Sequence, residues 1–170
     1  PPLPSYAPPA CSHPVLDGND VLLVVGTASP ETVRWKGFRD LAGRLGSRAV
    51  FAGGPGDEEA VRRIGKGYRS LPTGLGIAQF ARAAQGAGRV VGLDSGLTHL
   101  AAAARRAAGR RPETTAVVYG STSPDRTGPQ ESLAVQGEAP PCWPCYAKKC
   151  GIRTPCLATP ASQVIECALS

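Results

Sequence analysis

"RVVGLDSGLTHLAAAA", residues Arg89–Ala104, joins an apolar run to a polar junction and then to an alanine-rich segment. The run Arg89–Leu93 has the length and apolarity of a buried strand, and the alanines that follow favour a helix. Between them lie Asp94–Gly96, residue types typical of a helix start, and His99, one of only two histidines in the chain. The stretch therefore predicts a strand that turns directly into a helix, with polar groups gathered at the junction.

Short apolar runs and amphipathic segments alternate along the rest of the chain. Further strands are predicted at Val21–Val25, Ala49–Ala52, Tyr68–Leu71 and Thr115–Tyr119, and helices at Trp35–Leu45, Asp57–Ile64, Ile77–Ala84 and Ala101–Ala108. Regular alternation with short links favours right-handed crossovers and a parallel sheet covered on both faces. We therefore expect an α/β fold, a Rossmann-like three-layer sandwich, as one domain over residues 15–170. The six prolines among residues 1–14 indicate an extended linker before it.

The composition indicates what kind of protein this is and what kind of partner it would bind. The chain has 170 residues, of which 42% are hydrophobic and 19% charged, as in an ordinary globular protein. Its net charge of +6 and isoelectric point near 9.3 suit an anionic partner such as a phosphate, a nucleic acid or a membrane surface. It has no methionine, no apolar run long enough to cross a membrane and no signal peptide at its start. We therefore expect a cytoplasmic protein and a chain that is a piece of a longer one.

Four loops that follow predicted strands are rich in Gly, Ser, Thr or Asp: Gly26–Ser29, Gly53–Gly56, Asp94–Gly96 and Gly120–Asp125. Ligands of such sheets bind beyond the carboxyl ends of the strands, where backbone N–H groups and a helix start attract an anion. The alternative is that these loops are ordinary turns and N-caps. No G-x-G-x-x-G, P-loop or G-x-S-x-G motif is present, which disfavours a dehydrogenase, a P-loop NTPase and a serine hydrolase. A phosphate site is the chemistry that these loops favour.

His99 falls in the first turn of the predicted helix. The positive end of the helix dipole disfavours an imidazolium there, so we expect a neutral ring with one hydrogen-bond donor and one acceptor. The alternative is a buried or capping histidine without a ligand.

Four of the six cysteines crowd into a cysteine-rich loop, residues 141–157. Cys142, Cys145, Cys150 and Cys156 have the spacing C-x₂-C-x₄-C-x₅-C. Four thiolates so close together could hold zinc or iron, although zinc modules usually present two separated pairs. The alternatives are packed thiols or disulfides formed on oxidation. The sequence leaves metal binding open.

Two of these stretches, Asp94–Ala101 and the YGSTSPDRTGP sequence of Tyr119–Pro129, resemble glycosyltransferase family 9, the lipopolysaccharide heptosyltransferases. The loop Gly26–Ser29 with Arg34–Trp35 is similar to an early motif of that family, and Gly53–Asp57 to another. The cysteine-rich loop resembles the heptosyltransferase II branch.

The resemblance implies a two-domain GT-B enzyme whose carboxyl half, represented by this chain, binds a nucleotide sugar. The donor would be ADP-L-glycero-D-manno-heptose and the acceptor the lipopolysaccharide inner core, with no cofactor or metal required. The general base and the acceptor surface would lie in the amino-terminal half, so no catalytic residue is assigned here and the chain alone should be inactive. Peripheral contact with the cytoplasmic face of the inner membrane is a further expectation. The residues expected to bind the nucleotide sugar are Ser29, Arg34, Asp94, Ser95, Gly96 and His99.

Two other classes of protein fit parts of the sequence. A nucleotide-sugar epimerase has the same architecture, but it shows S-G-G followed by paired glutamates where this chain has Leu97–His99 and then alanines. A basic, metal-clipped nucleic-acid-binding module fits the charge and the cysteines. Its weakness is that the nine aromatic residues form no patch interleaved with basic residues.

Overall fold

The chain folds around a parallel sheet, seen in a computed structural model that describes residues 15–28, 35–129, 131–152, 155–160, 162–164 and 166. Across these residues the sheet has six strands in the order β3-β2-β1-β4-β5-β6, and every neighbouring pair is parallel. The strands are β1 (Val21–Val24), β2 (Ala49–Ala52), β3 (Arg69–Ser70), β4 (Arg89–Leu93), β5 (Thr115–Tyr119) and β6 (Leu133–Gln136). The linker predicted for residues 1–14 lies outside the described residues.

Helices cover both faces of the sheet. They are α1 (Phe38–Leu45), α2 (Glu58–Ile64), α3 (Ile77–Gly86), α4 (Gly96–Ala107) and the short α5 (Pro124–Thr127). Successive side chains of a strand point to opposite faces, so Leu23 packs with residues of α1 and α2 while Leu22 packs with residues of α3 and α4. The predicted α/β sandwich with a parallel sheet is confirmed.

Two local predictions are wrong. The first helix begins at Phe38 rather than Trp35, because the Trp35 ring is buried in the core and its Nε1–H donates to the Thr159 carbonyl oxygen at 2.8 Å. The sheet also continues past β5, the last strand predicted, into β6. That strand is four residues long, and only Val135 in it is fully buried, so it lacks a strong apolar pattern.

A buried guanidinium fixes α4 against α3. Arg105 is 1% exposed, and it donates hydrogen bonds to the carbonyl oxygens of Ala84, Ala87 and Gly88 and to Thr114 Oγ1. Two of these carbonyls belong to the last turn and the C-cap of α3, where a helix has no donors of its own. Arg105 therefore stabilises the pair of helices whose amino-terminal ends face the carboxyl edge of the sheet.

Candidate anion-binding site at the carboxyl edge of the sheet

The strand order reverses at β1, which lies between β2 and β4. The connections from β1 to β3 carry α1 and α2 on one face, whereas those from β3 to β5 carry α3 and α4 on the other. This reversal opens a crevice beyond the carboxyl ends of β1 and β4, the usual ligand position in such folds. The loop after β4 is the Asp94–Gly96 junction singled out in the sequence.

The loops after β1, β2 and β4 lie against one another. A Cβ atom on Gly26 would collide with the Asp57 carboxylate and lie 3.3 Å from the Gly53 Cα atom. A Cβ atom on Gly54 would lie 3.3 Å from Leu97 Cδ1, in the first turn of α4. Glycine is required at Gly26 because any side chain would displace the neighbouring loop. The structure thus brings the predicted loops after β1, β2 and β4 together.

The amino terminus of α4 is open. Ser95 is the N-cap residue, and its carbonyl oxygen accepts the first helical hydrogen bond, from the His99 N–H at 3.0 Å. Its hydroxyl lies 3.2 Å from Thr98 Oγ1 and makes no capping hydrogen bond to the backbone. A Cβ atom on Gly96 would meet no atom within 4 Å. Gly96 is exposed and no side chain caps the first backbone N–H groups, which lie at the positive end of a 12-residue helix, as an anion site requires.

A side-chain network holds the residues beside this terminus. The Asp94 carboxylate, 6% exposed, lies 2.8 Å through Oδ1 from His99 Nε2 and accepts a hydrogen bond from Thr127 Oγ1 through Oδ2 at 2.9 Å. Burial raises the pKa of Asp94, but neighbouring polar groups, the hydrogen-bonded His99 and Thr127 among them, lower it by a larger amount, so the net pKa lies below its usual value. Both carboxylate oxygens are thus occupied within the protein.

The network identifies the partner of His99. If Nε2 donates its proton to Asp94, the neutral ring presents Nδ1 as an acceptor. The side chain is 35% exposed and also lines a cavity of about 230 Å³ with Ala102 and Pro129. His99 is therefore oriented by a buried carboxylate while one side of its ring stays accessible. The neutral charge state stays a prediction.

Acidic side chains fix the loop after β2. Asp57 Oδ2 accepts a hydrogen bond from the Gly54 N–H at 3.0 Å, and Glu58 Oε1 accepts one from the Gly56 N–H at 3.1 Å. Hydrogen bonds from its own backbone N–H and from Gly56 hold the pKa of Glu58 below its usual value. This loop borders the crevice with carboxylates; the sequence analysis included Asp57 in the Gly53–Asp57 motif but did not predict that these acids bind the backbone of the loop.

The structure describes four of the six residues predicted to bind the nucleotide sugar. Asp94, Ser95, Gly96 and His99 lie together at the start of α4, whereas Ser29 and Arg34 lie outside the described residues. Thr127 was missed, although it lies within the YGSTSPDRTGP motif, because nothing in its neighbours shows that it contacts Asp94.

The cysteine-rich loop shows no metal centre in the described part of the chain. No group of three or more His, Cys, Asp and Glu side chains there is arranged to hold a metal ion. Cys142, Cys145, Cys150 and Cys156 are not joined in disulfides. Of the three possibilities that the sequence left open, the structure shows these four cysteines as free thiols rather than disulfides.

A doubly wound parallel sheet with an uncapped helix terminus at its point of reversal is the arrangement in which α/β domains commonly bind phosphate-containing ligands. Comparison of the sequence with models of protein families identifies its family. The model of glycosyltransferase family 9 (heptosyltransferase) matches residues 7–154, and the chain belongs to that family. No curated protein matches the chain.

Solved structures share the fold. Escherichia coli heptosyltransferase WaaC with ADP is 24% identical with a TM-score of 0.64, and the match covers 91% of this chain and 45% of that one. E. coli ADP-heptose LPS heptosyltransferase II is 22% identical with a TM-score of 0.66, covering 86% and 44%. A family 9 glycosyl transferase from Veillonella parvula is 27% identical with a TM-score of 0.54, covering 68% and 33%. The chain therefore spans less than half the length of each of these proteins.

Proposed function

We propose that this chain is the donor-binding domain of a heptosyltransferase that transfers heptose from ADP-L-glycero-D-manno-heptose to the lipopolysaccharide inner core. The observation that carries the proposal is the open amino terminus of α4 at the carboxyl edge of the sheet. Family membership and the similarity to a heptosyltransferase whose structure contains ADP support a nucleotide sugar as the ligand. The two E. coli structures match almost equally well, so the heptosyltransferase II branch rests on the cysteine-rich loop alone.

The diphosphate of the donor would bind the backbone N–H groups at the start of α4, beginning with Gly96. As the glycosidic bond breaks, negative charge grows on the departing ADP, and donors fixed in position stabilise that charge without reorganising. This chemistry requires no metal. Ser29 and Arg34 would add phosphate contacts, and His99 would lie beside the sugar phosphate with Nδ1 available to accept a hydrogen bond.

Asp94 would act by positioning rather than by direct contact. A free carboxylate beside a diphosphate would repel it, but both oxygens of Asp94 already lie within hydrogen-bond distance of His99 and Thr127. The carboxylate thereby fixes the imidazole next to the helix start. We assign Asp94 the role of orienting His99, because its backbone N–H already donates to the Val118 carbonyl oxygen at 3.3 Å and does not face the diphosphate.

The complete enzyme would add a partner domain with the general base and the acceptor surface. Its acceptor lies in the membrane, so we place it in the cytoplasm at the cytoplasmic face of the inner membrane. In the described residues, no helix has the length and apolarity needed to cross a membrane. The basic surface of the chain would favour contact with anionic lipid headgroups.

Calorimetric titration of the chain with ADP, UDP and a short oligonucleotide tests the proposal. We expect ADP to bind more tightly than UDP and the oligonucleotide not to bind. Preference for UDP would support an epimerase instead, and binding of the oligonucleotide alone would contradict both enzyme classes.

Two matched substitutions at Gly96 locate the site. Gly96→Glu and Gly96→Gln add side chains of equal size into open space and differ only in charge. We expect the glutamate variant to bind ADP at least about tenfold more weakly than the glutamine variant, because it places a negative charge where the diphosphate should lie. Equal affinities of the two variants would place the diphosphate elsewhere.

A further inference from the structure

The cysteine-rich loop is attached to the segment that follows β5. Trp143 Nε1–H donates to the Gly120 carbonyl oxygen at 3.1 Å, and the Tyr146 N–H donates to the Ser121 carbonyl oxygen at 3.0 Å. The Arg126 guanidinium lies 5.0 Å from the centroid of the Tyr146 ring, within the range of a cation–π contact. These contacts attach the loop to the rest of the domain on both sides of Cys145. The cysteines in this part of the loop therefore have defined positions.

The cysteines of this loop differ in accessibility. Cys142 and Cys145 are exposed and are separated by only two residues. Cys142 lies in a turn that is closed by a hydrogen bond of 2.8 Å from the Trp143 N–H to the Pro140 carbonyl oxygen. Cys156 is 6% exposed, and burial, together with the charge of the neighbouring cysteines, raises the pKa of its thiol. Since the thiolate is the reactive form, the buried cysteine is the inert one and the exposed pair is the accessible one.

We propose that Cys142 and Cys145 form a dithiol–disulfide site that exchanges with low-molecular-weight disulfides of the glutathione type. One of the two thiolates attacks the S–S bond of glutathione disulfide, forms a mixed disulfide and releases one glutathione thiolate. The second cysteine thiolate then attacks the protein sulfur of the mixed disulfide, which closes the intramolecular S–S bond and releases the second glutathione. The protein loses two protons and two electrons, and one glutathione disulfide becomes two glutathione thiols.

The local backbone suits this exchange. A disulfide needs Cα atoms roughly 4.4–6.8 Å apart. The chain bends at Pro144, between the two cysteines, which brings them closer than a fully extended segment would. The C-x₂-C arrangement also keeps the second thiol next to any mixed disulfide formed on the first. Both thiols are free and exposed, so an exogenous disulfide can reach them.

Equilibration of the purified chain with glutathione buffers of graded redox potential tests the proposal. After acid quenching, alkylation and proteolysis, mass spectrometry should show a peptide with a disulfide between Cys142 and Cys145 that dithiothreitol reverses. The variant Cys145→Ser should instead accumulate a stable mixed disulfide of glutathione on Cys142, because no second thiol resolves it. The control Cys150→Ser should form the same intramolecular disulfide as the unmodified chain.

Three results would overturn the proposal. The first is no disulfide at any buffer potential, and the second is a disulfide that joins either residue to Cys150 or Cys156. The third is uptake of one zinc ion from zinc chloride, seen by native mass spectrometry, with all four thiols protected from alkylation. No nucleotide enters these experiments, so their outcome is independent of the proposed donor site.

Discussion

Replacing Thr127 by valine should weaken the network beside α4 by a measurable amount. The Thr127 hydroxyl lies 2.9 Å from Asp94 Oδ2, and the Asp94 side chain is only 6% exposed, so bulk water cannot replace the lost donor. A hydrogen bond to a charged group contributes about 1.5–3 kcal/mol to the free energy of unfolding. We expect Thr127→Val to lower that free energy by about 2 kcal/mol at pH 7.

The effect should depend on pH in a defined direction. Burial raises the pKa of Asp94, but hydrogen bonding, to Thr127 among others, holds the net pKa below its usual value. A carboxyl whose pKa is depressed by folding stabilises the protein above its unfolded pKa, about 3.9, and that contribution is lost as pH falls through the folded pKa. The variant should have a higher Asp94 pKa, so its deficit in stability should shrink as the pH falls below about 4.

Urea unfolding followed by circular dichroism between pH 7 and pH 3 measures this deficit, and carbon-13 NMR titration of the carboxyl measures the pKa of Asp94. Thr159→Val is the matched control, because the Thr159 hydroxyl is buried and has no hydrogen-bond partner among the described residues. That substitution should cost nothing or stabilise the fold slightly. Equal losses for the two variants, or a Thr127→Val deficit that does not change with pH, would refute the assigned role of Thr127.

Two further substitutions test how α4 is held. Arg105→Met should lower the free energy of unfolding by about 1–3 kcal/mol, because three buried carbonyl oxygens lose their donor. Urea unfolding measures the change, and an unchanged midpoint would contradict the role of Arg105. Gly92→Ala should cost about 1–3 kcal/mol, because its Cβ would lie 2.8 Å from Thr98 Cγ2. Adding Thr98→Ala should recover part of that loss in thermal unfolding, whereas additive losses would show that the two residues do not meet.

Some elements of the fold were predictable because their signals are local. The strands β1, β2 and β4 are short and apolar, and each is followed by glycine or aspartate and then by an amphipathic helix. The residue types at the start of α4 also signal a helix terminus from sequence alone. Such patterns depend only on neighbours along the chain, so they can be read without knowing the tertiary structure.

Other elements depend on distant partners. β6 has one fully buried residue and forms because β5 presents an edge of unpaired backbone groups. Trp35 leaves the first helix because its indole N–H finds the Thr159 carbonyl oxygen, 124 residues further on. Neither partner is visible in the residues that surround β6 or Trp35, so neither outcome could be predicted locally.

The same division holds at the candidate site. The amino-acid sequence alone determined the strand-to-helix junction of Asp94–Gly96 and led to the prediction of an anion site there, because both follow from residue type and order. The closure of the network by Thr127, 33 residues after Asp94, depended on the folding of the chain. The open space in front of Gly96 likewise exists only because the surrounding loops pack as they do. A hydrogen bond or an empty volume is a relation between elements brought together by folding, and the order of residues does not encode it locally.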